Sequence, residues 1–254
     1  MDIIEALDIS LNKPELVCLV GGGGKTTTMF AIAQALRFFK KRVLVTTSTH
    51  ICYPDPEREK YDKLIVDNTD DIAIFTDTQK ETITVFGTGI VTAKVKKLAG
   101  ASSQFIEKLF LQKVFDYILV ECDGSKRKPI KAPASYEPVV PDNATKTIGV
   151  IGLDAIGKPI NEEFVHRLDI FCDVVKRLPG EILDEEAVVN LILSPAGLFK
   201  GVPEGCEKYV LLNKAEILQN RKYAQNISAR LKNTDNLSFI KCIIAAMADN
   251  KVYS

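Results

Sequence analysis

The chain has 254 residues, 46% of them hydrophobic, and 33 basic residues balance 33 acidic ones. That length and apolar content suit one α/β domain with a full core, or two small domains. The charge balance argues against a non-specific nucleic-acid or membrane-surface binder, which carries a basic excess.

Six cysteines (Cys18, Cys52, Cys122, Cys172, Cys206 and Cys242) occur without a CxxC pair and read as reduced thiols. No apolar run approaches the ~18 residues of a membrane span. The opening "MDIIEALDIS" lacks the basic flank of a signal peptide. A cytoplasmic protein is expected, with neither membrane nor nucleic acid as partner.

In chain order, "LVCLV" (Leu16–Val20) is a short buried strand ending at glycines, and Phe30, Ala33, Leu36 and Phe39 recur at helical spacing after Lys25. "RVLVTT" (Arg42–Thr47) is a second strand. Weaker strand signals follow at "KLIV" and "TITVFG". A helix from about Ser103 to Val114 leads into the strand "DYILVE" (Asp116–Glu121). The proline-marked stretch Pro129–Pro141 reads as a stiff loop. "TIGVIGLD", "KYVLLN" and "SFIKCII" supply further strands, with helices near Asp184–Leu193 and Glu216–Leu231. Strand and helix in alternation predict a three-layer α/β fold, a mostly parallel sheet flanked by helices. A single domain over residues 1–254 is expected, with a possible insertion at about 54–101.

The stretch "LVGGGGKTTT" (Leu19–Thr28) poses the functional question. The usual phosphate loop, GxxxxGK[ST], would put its first glycine on Leu19, so strict matching fails. The physics still fits. Gly21, Gly22, Gly23 and Gly24 allow positive φ and close backbone approach, so successive N–H groups can point at an anion. The helix beginning near Lys25 adds its positive end. Lys25 can reach β and γ phosphates, Thr26 can ligate Mg²⁺, and Thr27 extends the donor run. A plain connecting turn is the alternative, but it would make the following Lys-Thr a coincidence. "VGGGGKTT" resembles the deviant loop KGGxGKTT of the signal-recognition, MinD and metallochaperone class, with Val20 in place of its first lysine.

A phosphate loop needs a second Mg²⁺ partner at a neighbouring strand end. "FDYILVECDGS" offers Glu121 and Asp123, and resembles the "hhhVExxG" strand end of nickel-metallochaperone GTPases. Thr47, Thr49 and His50 end the second strand and can face a phosphate or a substrate. His50, Cys52 and Cys122 follow strands that can be neighbours, and read either as core cysteines beside an unrelated histidine or as a metal or chalcogen site. "VLLNKAE" resembles the guanine-recognition motif NKxD, with Asn213 for the purine edge, Lys214 for stacking and Glu216 replacing the aspartate. GTP is thereby placed ahead of ATP.

Across Leu19 to Glu216 the pieces "GGGGKTT", "TTSTH", "VECDGSKRKPIKAPASYEPVVP", "IGLDAIGKPI", "EFVHR", "SPAGLFKGVP" and "LLNKAE" resemble one family, the selenium-dependent hydroxylase accessory proteins, YqeC-like. Cys122 and Tyr136 stand where that family's pattern has alanine and histidine. The resemblance implies a P-loop NTPase fold and a role in maturing selenium-dependent molybdenum hydroxylases, with the hydroxylase or a cofactor-loading protein as partner. It does not define a reaction. Three readings stay open: an Mg²⁺-dependent hydrolase of GTP or ATP, with Lys25 and Asp123 catalytic; a small-molecule phosphotransferase; and a non-catalytic nucleotide switch. The second draws on the basic loop Lys126, Arg127, Lys128 and Lys131 as an anion contact. The third draws on His166 and Arg167 as partner contacts.

Overall fold

The computed structural model describes residues 2–76, 79–92, 94–233 and 240–253. A short helix α1 (Ile3–Ala6) precedes strand β1 (Glu15–Gly21), helix α2 (Lys25–Phe38) and strand β2 (Val43–Thr47). Next come β3 (His50–Cys52), α3 (Pro56–Glu59), β4 (Lys63–Val66), β5 (Ile83–Gly87), β6 (Gly89–Thr92) and β7 (Lys96–Ala99). Helix α4 (Ser103–Leu111) leads into β8 (Tyr117–Glu121), β9 (Ile130–Lys131), β10 (Lys146–Gly152) and β11 (Val165–His166). The chain closes with α5 (Leu168–Val175), α6 (Glu185–Leu193), β12 (Glu207–Asn213), α7 (Leu218–Lys232), β13 (Ile240–Ala246) and β14 (Lys251–Tyr253).

Nine strands form the main sheet in the order β14-β13-β12-β10-β1-β8-β2-β5-β4. All neighbours pair in parallel except β14, which runs antiparallel to β13. The central strands are near-continuous apolar runs because helices cover both faces. Alternation sorts their side chains. Leu16, Cys18 and Val20 of β1 meet one core with α4 to α7, while Val17 and Leu19 meet the other with α1 and α2. The expected three-layer arrangement is therefore present.

One local detail differs from expectation. Helix α5 has no start signal in the sequence: its eight residues "LDIFCDVV" begin straight after Arg167 in the left-handed region, with no side-chain cap to announce it. Within residues 54–101, β4 and β5 extend the main sheet, while β6 and β7 join β3 in a separate three-stranded antiparallel sheet. Of the strand expected at "SFIKCII", Ser238 and Phe239 lie outside the described residues, and the rest is β13.

The topology creates a switch point in the main sheet. From β1 the chain crosses through α2 to β2 on one side, whereas β10 and β12 extend the sheet on the other. The carboxyl ends of β1, β8 and β10 thus border a switch point, where open α/β sheets bind ligands.

Candidate functional site

The glycine loop lies at that switch point, and its glycines are demanded by the neighbouring backbone as well as by any anion. A Cβ on Gly23 would lie 2.2 Å from Gly152 N, and one on Gly24 would lie 2.3 Å from Asn213 Nδ2. Gly24 also takes φ 125°, a value that L side chains rarely adopt. The first three N–H groups do not point at an open cradle as the sequence suggests. Gly21 N–H donates to Asp123 Oδ2 at 3.2 Å, Gly22 N–H to Val150 O at 2.9 Å and Gly23 N–H to Lys128 O at 3.1 Å. The available donors begin further along. The backbone N–H groups of Gly24, Lys25, Thr26 and Thr27 bond to no partner among the described residues, and α2 has no side-chain cap. An uncapped first turn leaves these donors free, and the helix dipole favours negative charge there.

Below that turn sits a buried ion cluster. Lys25 Nζ donates to Gly21 O at 2.6 Å and lies 3.1 Å from Asp123 Oδ1 and 3.6 Å from Glu121 Oε1. Thr26 Oγ1 donates to Glu121 Oε2 at 2.8 Å. The parallel register produces this meeting, since Glu121 pairs with Leu19 on one side and Thr47 on the other. Burial raises the Glu121 carboxyl above the usual range, outweighing Lys25 and the Thr26 hydrogen bond, with Asp123 pushing the same way. Burial alone would lower the Lys25 ammonium, but Asp123 and Glu121 hold it above its ordinary value. Asp123 Oδ1 is enclosed and accepts no hydrogen bond among the described residues.

The cluster continues into residues that no local pattern joins to it. Lys131 Nζ lies 2.9 Å from Asp123 Oδ2, donates to Glu137 Oε2 at 2.7 Å and to Gly124 O at 2.8 Å. Glu137 also meets Arg167 at 3.1 Å, and Arg167 donates to the Tyr136 hydroxyl at 3.1 Å. A chain of alternating charge therefore runs from Lys25 through Asp123, Lys131 and Glu137 to Arg167. Its one sequence signal was the density of charge in "DGSKRKPIK" and "YEP".

Asn213 occupies a different station from the one its motif suggests. Its amide donates to Gly23 O at 2.8 Å and accepts from Met247 N–H at 2.9 Å, with 4% of the residue exposed. Both ends of the amide thus tie the loop to the ends of β12 and β13. Lys214 pairs with Asp154 at 2.6 Å, and Glu216 is exposed. Thr47 Oγ1 donates to Glu121 O at 2.6 Å and lies 3.4 Å from Thr49 Oγ1, so these hydroxyls brace the end of β8. His50 is exposed, Cys122 is fully buried, and Cys52 Sγ accepts from the exposed Arg127 at 3.5 Å. Among the described residues no three His, Cys, Asp or Glu side chains gather as a metal site, so His50, Cys52 and Cys122 are not brought together.

Beside the first turns of α2 lies a cleft of about 320 Å³, lined by Thr26, Thr27, Phe30, Gln34, Lys60 and Met247 among others. Thr26 thus touches both the ion cluster and the cleft.

Fold and site together define a three-layer, mostly parallel α/β protein with a glycine loop and a buried Lys/Glu/Asp cluster at the carboxyl ends of its central strands. The family described as YqeC protein matches residues 17–169, and the Escherichia coli (strain K12) protein named "Uncharacterized protein YqeC" is 31% identical over 225 residues, covering 84% of this chain and 82% of the relative. The chain belongs to the YqeC family. The matched span takes in the glycine loop, Glu121, Asp123, Lys131, Glu137 and the His166-Arg167 pair. No helix among the described residues is long and apolar enough to cross a membrane.

Proposed function

We propose that this protein binds a nucleoside triphosphate with Mg²⁺ and hydrolyses it, as an accessory factor in maturing selenium-dependent molybdenum hydroxylases. The carrying observation is the convergence of Lys25, Thr26, Glu121 and Asp123 beneath the uncapped first turn of α2. In this reading the N–H groups of Gly24 to Thr27 receive the phosphates. Lys25 moves from Asp123 to the phosphate oxygens, exchanging one set of buried anions for another. The hydroxyl of Thr26 and the carboxylate of Glu121 are hard oxygen donors suited to Mg²⁺. The bound ion would neutralise charge on the phosphates. Asp123, freed from Lys25 but still held by Lys131, is the group positioned to orient water. The cleft beside Thr27 takes the nucleoside in this reading, with GTP ahead of ATP. The hydroxylase or a cofactor-loading protein is the partner in this reading.

Calorimetry with GTP, ATP and CTP, each with and without Mg²⁺, tests the proposal together with phosphate release. Mg²⁺-dependent binding and turnover that vanish in Lys25→Met are expected; retained turnover in that variant removes the proposal. A phosphotransferase is the second reading, favoured by the cations linked to Asp123 through Lys131. Turnover that requires an added acceptor distinguishes it from hydrolysis.

A further inference from the structure

The strands β9 and β11 pair in parallel, with Lys131 opposite His166. This small sheet carries two buried polar side chains into one place, Lys131 at 1% and His166 at 8% exposure. Lys131 is fully engaged, as described above. His166 is not: its ring makes no hydrogen bond among the described residues. Its nitrogens are also absent from the fully enclosed orphan atoms, which are Glu15 Oε2, Asp123 Oδ1 and Arg167 Nε, so the ring retains an opening to solvent. An imidazole without a protein partner but open to solvent on one side is free to meet a ligand arriving from that side.

The surroundings say what that is. Lys128 Nζ donates to Val165 O at 3.1 Å, one residue before the histidine. Lys126 is exposed and Arg167 follows His166 directly, both with positive φ. Three cations act on the ring, Lys131 opposite it across the strand pair, Arg167 next in the chain and Lys126, against Glu137, which Lys131 and Arg167 share. Burial first, then Lys131, Arg167 and Lys126, pull the imidazole down to about 4, with Glu137 opposing. The Nε–H of Arg167 is a further donor without an acceptor. The open donors are thus Arg167 Nε–H and the exposed Lys126 ammonium, and together with the unpartnered ring they suit an oxyanion.

We propose that His166, Lys126 and Arg167 form a second binding site, separate from the glycine loop, for the phosphate group or a like compact dianion of a small ligand. The site stands whether or not the glycine loop holds a nucleotide. Where both are occupied, Lys131 and Asp123 lie between them, which places the second ligand beside the phosphate end of the first.

The chain has two histidines, so His50 is an internal control for a titration of His166 by NMR with inorganic phosphate. The His166 ring resonances should shift saturably while those of His50 stay in place. Lys126→Ala removes an exposed side chain and should weaken the effect about tenfold, the loss of one charge-assisted hydrogen bond. The double variant Lys25→Met/Glu121→Gln, impaired at the glycine loop, should keep the His166 response. No His166 shift, a response unchanged in Lys126→Ala, or one lost in the double variant overturns the proposal. Failure of the nucleotide reading alone would show as absent GTP and ATP binding with the His166 response intact.

Discussion

Lys25 invites a perturbation whose size follows from its surroundings. Replacing it with methionine removes a cation that is 3% exposed and leaves Glu121 and Asp123, also buried, without it. Breaking one partner out of a buried pair costs ~3–5 kcal/mol. The cost here is reduced because Asp123 keeps Lys131 at 2.9 Å and the Gly21 N–H, and Glu121 keeps the Thr26 hydroxyl. A loss of about 2–3 kcal/mol is expected, which for a chain of this size lowers Tm by roughly 5–10 °C. The Glu121 carboxyl is already raised in the fold, and losing Lys25 raises it further. A group raised in the fold contributes stability below its unfolded pKa that is lost as pH rises through the folded one. The penalty of Lys25→Met should therefore be larger at pH 8 than at pH 5. Adding Glu121→Gln removes the unpaired charge and should recover more than half of the loss. Urea unfolding of wild type, both single variants and the double variant forms the cycle. A Lys25→Met protein as stable as wild type at pH 8, or no recovery in the double variant, refutes the reasoning. It follows that lost turnover in a Lys25 variant counts only with this stability control.

The remaining predictions concern the loop and the second site. Gly24→Ala places a Cβ 2.3 Å from Asn213 Nδ2 at φ 125° and should cost ~2 kcal/mol or more and abolish tripolyphosphate binding, whereas Gly124→Ala meets nothing within 4 Å and should leave both near wild type by calorimetry and melting. Asn213→Ala leaves Gly23 O and Met247 N–H without their partner, at ~1–3 kcal/mol. It should weaken tripolyphosphate and GTP alike, while a loss confined to GTP would assign the side chain to the base instead. His166 sits at about 4 in the fold against 6.5 in the unfolded chain, so the unfolded state takes up the proton first as pH falls. Its contribution should be complete above pH ~6.5 and decline as pH falls toward 4. Denaturation curves for His166→Gln should show a flatter pH profile across that window; an unchanged slope counts against the assignment.

Local pattern was enough for the frame of the molecule. The apolar runs at β1, β2, β8, β10 and β12 are legible because a parallel strand covered on both faces needs apolar residues at every position. The glycines, Lys25, Thr26, Glu121 and Asp123 were legible because strand ends and a helix start place them by chain position alone. Which atoms those groups then engage was not. Asn213 sits in a base-recognition pattern, yet its amide holds Gly23 O and Met247 N–H, partners 190 and 34 residues away. Cys122 follows β8 within reach of the site in sequence, but the packing turns it fully into the core.

By itself the sequence determined the three-layer α/β frame and the loop with its two acids, since both rest on short-range spacing and periodicity. Only the tertiary structure decided that the first three loop N–H groups are already spent, that Lys131 and Glu137 carry the ion cluster onward, and that His166 stands unpartnered among cations. The physical reason is that a buried polar group is satisfied by whatever the packing sets within about 3 Å. Across parallel crossovers those partners come from distant parts of the chain, where no local pattern records them.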